Sequence, residues 1–283
     1  MTKPVRPPAS ERTLTRYVVA YARRADADVA RVRRLVSFMA LAGALRQARR
    51  EEDGGPAFVV KGGVALELRL RNQARATRDM DLILNRDGGD LLLELEDLLA
   101  SPYEAFTFRR KGREHRMLNG AVRVKVQVSY MGREWGTVEV DVARREGETE
   151  VELVPGLPLL QEFGLTGPDD VECLSLRHHV AQKLHGMTLP MPEGRQNERF
   201  RDLVDLLLLR QFIEDHTALA SACADVFARR GTHAWPPALV PPEEWREPFA
   251  RMASETDLPI QELDAAVSEI REWIALIASA SPS

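Results

Sequence analysis

Two stretches decide how this chain is read: Phe58-Val59-Val60-Lys61-Gly62-Gly63-Val64-Ala65-Leu66, and Arg75-Ala76-Thr77-Arg78-Asp79-Met80-Asp81-Leu82-Ile83-Leu84. In the first, a short apolar run meets two glycines and then helix-forming residues, which reads as strand, turn and helix start. Glycine lets backbone amides approach a ligand closely, and a helix N-terminus favours negative charge. Lys61, Gly62 and Gly63 are therefore candidate phosphate contacts. In the second stretch, alternation along a strand puts Asp79 and Asp81 on one face and Met80, Leu82 and Leu84 on the other. Two like charges on one face repel, and a divalent cation that neutralises them is a natural explanation. Oxygen ligands favour Mg²⁺ or Mn²⁺. A later stretch, Thr137-Val138-Glu139-Val140-Asp141-Val142, repeats the pattern with valines on one face and acids on the other. If its strand neighbours that of Asp79, Asp141 can complete a carboxylate cluster, with Glu139 as a less favoured substitute.

Around these stretches the periodicity predicts helices over 16–25 and 28–50, after a flexible arm over 1–12. A strand over 57–61 leads into a helix reaching about Arg71. A strand over 79–85, a leucine-rich helix over 89–100, and strands near 106–110, 121–130 and 136–143 follow. This order predicts an α/β (α+β) unit built on a mixed sheet flanked by helices. The segment 151–168 is rich in proline and glycine and is read as a connection. Domains are thus expected at 1–150 and 169–283. The second is a mainly helical lobe, with helices over 170–187, 197–214, 217–229 and 258–279 and an irregular connection at 235–242.

With 283 residues, 44% of them hydrophobic and 29% charged, the chain can bury a sizeable core without disulfides or a structural metal. No apolar run approaches a membrane span, and Met1 to Arg12 lacks a basic-then-apolar leader, so a cytoplasmic protein with no membrane partner is expected. Cys173 and Cys223 form no CxxC pair and read as reduced core thiols. A zinc site and a nucleophile-elbow hydrolase find no support. The net charge of −4 conceals an asymmetry, because residues 1–50 hold twelve basic residues against Glu11, Asp26 and Asp28. A second basic stretch holds Arg109, Arg110, Lys111, Arg113, Arg116, Arg123 and Lys125, opposed locally by Glu114. Such patches suit a polyanionic partner, and solvated surface faces explain them equally. Only five basic residues are lysines, and Lys61 and Lys183 fall within the candidate motifs.

A Gly-Gly turn, an Asp-x-Asp strand and a later lone carboxylate resemble the DNA polymerase β-type nucleotidyltransferase pattern. More narrowly, four ordered motifs resemble the AbiEii/AbiGii-type nucleotidyltransferase toxins of bacterial toxin–antitoxin systems. They are Lys61-Gly62-Gly63-Val64-Ala65-Leu66-Glu67-Leu68, Arg75 to Asp81, Ala181-Gln182-Lys183-Leu184-His185, and Arg199-Phe200-Arg201-Asp202-Leu203-Val204-Asp205-Leu206. The resemblance implies that Lys61, Gly62 and Gly63 lie at the triphosphate, with Thr77 among the nucleotide-binding residues. It implies that Asp79 and Asp81 bind the catalytic metal, with Asp141 as the third carboxylate. It further implies that Lys183 reaches a nucleotide phosphate and that Asp205 forms or orients that side of the site. Asp202 and Asp205 are three apart on one helix face and could pair with Lys183, which a structural ion pair explains as well. Val64 stands where the family pattern carries Ser or Thr.

The implied activity is metal-dependent transfer of a nucleoside monophosphate from an NTP to an RNA acceptor. The tRNA 3′ end is the implied acceptor, which would block translation, and a cognate antitoxin is the implied partner. Alternatives are transfer to a small molecule or protein, or a catalytically silent binding module. Phosphorylating Thr77 would place negative charge beside the metal carboxylates and is expected to inactivate the site.

Overall fold

The computed structural model describes residues 6–47, 54–85, 88–117, 120–147 and 150–280. The first part of the expected N-terminal arm and the end of the helix expected over 28–50 lie outside the described residues. Two compact units emerge, one of residues 1–69 and 76–173, the other of residues 70–75 and 174–283.

The first unit is organised by a seven-stranded mixed sheet. Its strands are β1 (Phe58–Lys61), β2 (Asp79–Leu84), β3 (Phe106–Arg116), β4 (Val122–Tyr130), β5 (Arg133–Arg144), β6 (Val151–Pro155) and β7 (Asp170–Leu174). The spatial order is β3-β4-β5-β2-β1-β7-β6. Strand β2 runs parallel to β5 and antiparallel to β1, so it sits at the centre, between strands distant in sequence.

Alternation explains the sheet. Val122, Val124, Val126, Val128 and Tyr130 are buried, while Arg123, Lys125, Gln127 and Ser129 project from the other face. Val138, Val140 and Val142 on β5, and Met80, Leu82 and Leu84 on β2, continue the apolar face across the sheet.

Helices α1 (Glu11–Arg24), α2 (Val29–Gln47) and α4 (Leu91–Leu99) contact this sheet, and α3 (Gly62–Leu70) follows β1 directly. Ser10 caps α1 by accepting from the Thr13 amide, and Leu14, Val18 and Ala22 form its buried stripe. Pro8, just before it, accepts a hydrogen bond from the buried Tyr130 hydroxyl at 2.7 Å. The expected arm is therefore anchored at this point. Residues Phe38 to Ala42 of α2 are all buried, which makes it a core helix rather than an amphipathic one.

The second unit is helical: α5 (Leu176–Met187), α6 (Phe200–Leu209), α7 (His216–Arg230), α8 (Arg246–Glu255) and α9 (Leu263–Ser279). Asp215 caps α7 through the Ala218 amide, and Gly231 ends it in the left-handed conformation. Leu206 and Leu209 of α6, Phe249 of α8 and Ile270 and Ile277 of α9 are fully buried.

Three local expectations change. Residues 170–174 are a strand rather than the start of a helix, because the run Val171 to Leu174 is buried on both faces and pairs in parallel with β1. Helix α8, which the sequence reading does not contain, follows the proline-rich segment. Its apolar stripe is short, with Phe249 and Ala253 as its buried residues. The segment expected to connect the domains holds β6, which belongs to the sheet.

Candidate active site

In the first unit the site follows from register. Cross-strand partners place Lys61 beside Asp81, Asp81 beside Asp141, and Asp141 beside Arg123, in one row over β1, β2, β5 and β4. A second row runs Asp79, Glu139, Lys125 and Lys111 over β2, β5, β4 and β3. Neighbouring strands lie about 4.7–4.9 Å apart, so side chains in a row are within reach of one another. The condition set by the sequence is thus met: β5 does adjoin β2, and Asp141 stands opposite Asp81.

The Gly-Gly turn closes on these carboxylates. Gly62 has φ +60°, and a Cβ there would sit 1.8 Å from a carboxylate oxygen of Asp81. A Cβ on Gly63 would sit 2.2 Å from the Thr77 hydroxyl. Neither space admits a methyl group, so this is a close-packed cradle of backbone against Asp81 and Thr77. Thr77 is buried, and its hydroxyl donates to Asp79 at 3.2 Å. Val64 is fully buried in the core. The position where the family pattern carries a hydroxyl therefore serves packing in this chain.

Sequence proximity groups Arg123 with the basic surface, and the fold gives it a different setting. Its Nε and Nη2 donate to the two oxygens of Asp141, both at 2.7 Å. The same guanidinium lies 3.7 Å from Asp79 and 3.7 Å from Glu139. Its pKa is raised, first by the hydrogen bond to Asp141 and then by the charges of Asp141, Glu139 and Asp79, against the opposing effect of burial. It is cationic at any working pH.

Among the described residues, no three side chains of metal-ligand type are gathered around a preformed ion position. The four carboxylates of the two strands therefore differ in how they suit a metal ion. Asp79 and Asp81, beside a turn too tight for a Cβ, suit a hard cation shared with phosphate oxygens. Asp141 spends both oxygens on Arg123.

The other motifs meet in the second unit. Lys183 of α5 donates to Asp202 and to Asp205 of α6, both at 2.7 Å. Arg75 makes a bidentate pair with Asp205, at 3.0 Å through each nitrogen, and Arg199 donates to Asp202 at 3.0 Å. The Lys183 side chain is 8% exposed and that of Asp205 1%. Burial works against the Lys183 charge, but the adjacent carboxylates of Asp202 and Asp205 outweigh it and raise the pKa. Asp202 is likewise held below its ordinary value by Lys183 and Arg199 despite burial. Arg75 lies within the second quoted motif, and its role as partner of Asp205 was invisible to the sequence reading. His185 is buried, with Thr232 2.9 Å from its Nε2 and Phe227 packed edge-on against its ring.

Much of the N-terminal positive charge is also consumed internally. Arg31 pairs with Glu67, Arg33 with Glu11, and Arg46 with Glu172. On β3, Arg110 pairs with Glu96 and Lys111 with Glu134, acids that sequence proximity did not supply. Arg109, Arg113, Arg116 and Lys125 are exposed. The cysteines are buried and free, and burial pushes both thiols up to about 12.

A family described as "Nucleotidyl transferase AbiEii toxin, Type IV TA system" matches residues 44–269. The chain belongs to this AbiEii family. It is a nucleotidyltransferase toxin of the type IV toxin–antitoxin class, which brings an NTP substrate, an antitoxin partner and a general use of divalent metal. Among solved structures it is similar to MenT4, a nucleotidyltransferase toxin from Mycobacterium tuberculosis H37Rv, at 20% identity and a TM-score of 0.49. That similarity covers 88% of this chain and 92% of the other. No curated protein sequence matches the chain. Among the described residues, no helix is long and apolar enough to cross a membrane.

Proposed function

We propose that this AbiEii toxin transfers a nucleoside monophosphate from an NTP to an RNA acceptor, the tRNA 3′ end, and so blocks translation. The observation that carries the reading is the pair Asp79 and Asp81 on one face of β2, against the Gly62-Gly63 turn. In the proposal, Asp79 and Asp81 hold Mg²⁺ or Mn²⁺. The metal, when bound, would neutralise the triphosphate and lower the pKa of the acceptor's hydroxyl. Backbone amides at Gly62 and Gly63 meet phosphate oxygens at the start of α3. Lys61, adjoining Asp81 in register, supplies a compact positive charge, and Thr77 orients Asp79 through its hydroxyl. Asp141 is the adjoining third carboxylate. Lys183 acts as a nucleotide-phosphate cation, with Asp205 and Asp202 setting its orientation.

An RNA acceptor is favoured over a small molecule by the exposed cations Arg109, Lys125, Arg113 and Arg116 on β3 and β4. A cytoplasmic site of action follows from a tRNA acceptor. The test is incubation with Mg²⁺, total tRNA and each α-labelled NTP separately, beside an Asp79→Ala protein. Label appearing in tRNA with the wild type and absent with Asp79→Ala is the expected result. Label on protein or small molecules would redirect the acceptor, and no transfer by a folded protein would favour the silent binding module.

A further inference from the structure

The carboxylate row contains one contact that does not fit a simple three-acid metal site. Asp141 is bonded through both oxygens to Arg123 at 2.7 Å, in the fork-on-fork arrangement that is the strongest of carboxylate pairings. Register dictates this pair, since Arg123 and Asp141 are direct cross-strand partners on β4 and β5. Asp141 has a side chain 13% exposed, whereas that of Arg123 is 38% exposed. The carboxylate is thus the buried member and the guanidinium the open one. With Nε and Nη2 committed to Asp141, Nη1 has its nearest carboxylate, Glu139, at 3.7 Å, beyond hydrogen-bond range. Nη2 also stands 3.7 Å from Asp79. A planar cation is therefore fixed beside the aspartates and remains partly exposed.

We infer that Asp141 is a ligand of Arg123 and not of the metal ion, and that Arg123 serves as a second, protein-borne cation of the site, facing the phosphates of the nucleotide. The inference deepens the nucleotidyl-transfer reading and rests on it for the identity of the phosphates. Asp141 is then a positioning residue acting through Arg123, and the ion is left to Asp79 and Asp81. The arrangement also explains how four acids, Asp79, Asp81, Glu139 and Asp141, coexist on two neighbouring strands, since Arg123 neutralises part of the charge permanently.

The experiment uses the full chain and two readouts, Mn²⁺ binding followed by electron paramagnetic resonance without nucleotide, and kcat and KM for NTP in the tRNA-labelling assay. Asp79→Asn and Asp81→Asn are expected to weaken Mn²⁺ binding by about tenfold or more, since even the hydrogen-bond partners of metal ligands are worth about that much. Asp141→Asn is expected to leave Mn²⁺ binding within about twofold, while raising KM by about tenfold through loss of a charge-assisted hydrogen bond to the nucleotide-facing guanidinium. Arg123→Gln is expected to raise KM similarly and to tighten Mn²⁺ binding by releasing Asp141. The double variant should be no worse than either single one, because both remove one device. Arg123→Lys, which keeps the charge, should recover part of the KM loss.

Weakening of Mn²⁺ binding by Asp141→Asn to the extent seen with Asp79→Asn, or multiplicative losses in the double variant, would overturn the inference and leave nucleotidyl transfer standing. A wild type that binds no Mn²⁺ would overturn both. If Asp141→Asn fails to fold, the Arg123→Gln arm still decides, since unchanged or weaker Mn²⁺ binding there contradicts the release of Asp141.

Discussion

Gly62 shows what a single residue can settle. Its φ of +60° is disfavoured for any side chain, and an added Cβ would collide with Asp81 at 1.8 Å. Gly62→Ala should cost about 1–3 kcal/mol of stability and displace Asp81, so nucleotide transfer falls along with the urea midpoint. At the same scale, Lys183 binds Asp202 and Asp205 in a buried cluster. Breaking such a pair from one side costs about 3–5 kcal/mol, so Lys183→Met is expected to lower stability measurably by urea unfolding. The partner variant has a pH signature. The carboxyl of Asp202 has a pKa depressed in the folded state, so its contribution is complete above the unfolded value of about 3.9 and is lost as pH falls through the folded value. The stability gap between wild type and Asp202→Asn should therefore be open at pH 7 and narrow below about pH 4.

Elements divide into those whose sequence periodicity matches their surroundings and those whose surroundings override it. Strand β4 reads Val-Arg-Val-Lys-Val-Gln-Val, and its burial alternates as that pattern demands. Helix α7 carries its own boundaries, with Asp215 at the start and Gly231 at the end. Asp215→Ala should destabilise the protein by about 1 kcal/mol, seen as a lowered Tm without change in nucleotide binding. Strand β7 is the opposite case. Val171-Glu172-Cys173-Leu174 has no clean alternation because a strand beside β1 is covered on both faces, so its periodicity merges with that of the following helix. Helix α8 was illegible for a related reason, since ten residues with two buried side chains leave little periodic signal.

Over the whole molecule, charge tells more by position than by total. The net charge of −4 argues against a polyanionic partner, yet Arg109 and Lys125 are exposed on the same sheet that carries Asp79 and Asp81. The N-terminal cations Arg31, Arg33 and Arg46 are already paired with acids of the same unit and contribute less to an external partner. Filter binding of tRNA over a salt series tests this division. Lys125→Ala and Arg109→Ala should each flatten the log–log salt dependence by about one, whereas Arg31→Ala should affect stability rather than the slope.

What the sequence determined alone was whatever depends on neighbours a few residues apart. Alternation put Asp79 and Asp81 on one face, two glycines marked a turn at a helix start, and spacing of three put Asp202 and Asp205 on one side of a helix. Four ordered motifs carried the family. Only the tertiary structure decided which strands lie side by side, because pairing between β2 and β5 closes a loop of more than fifty residues and leaves no local trace. That pairing sets Asp141 opposite Asp81, and the next pairing sets Arg123 opposite Asp141. An arginine that reads as one more cation in a basic stretch thereby becomes the partner of a carboxylate at the candidate site. The register of a sheet is a property of several strands at once, and no one of them encodes it.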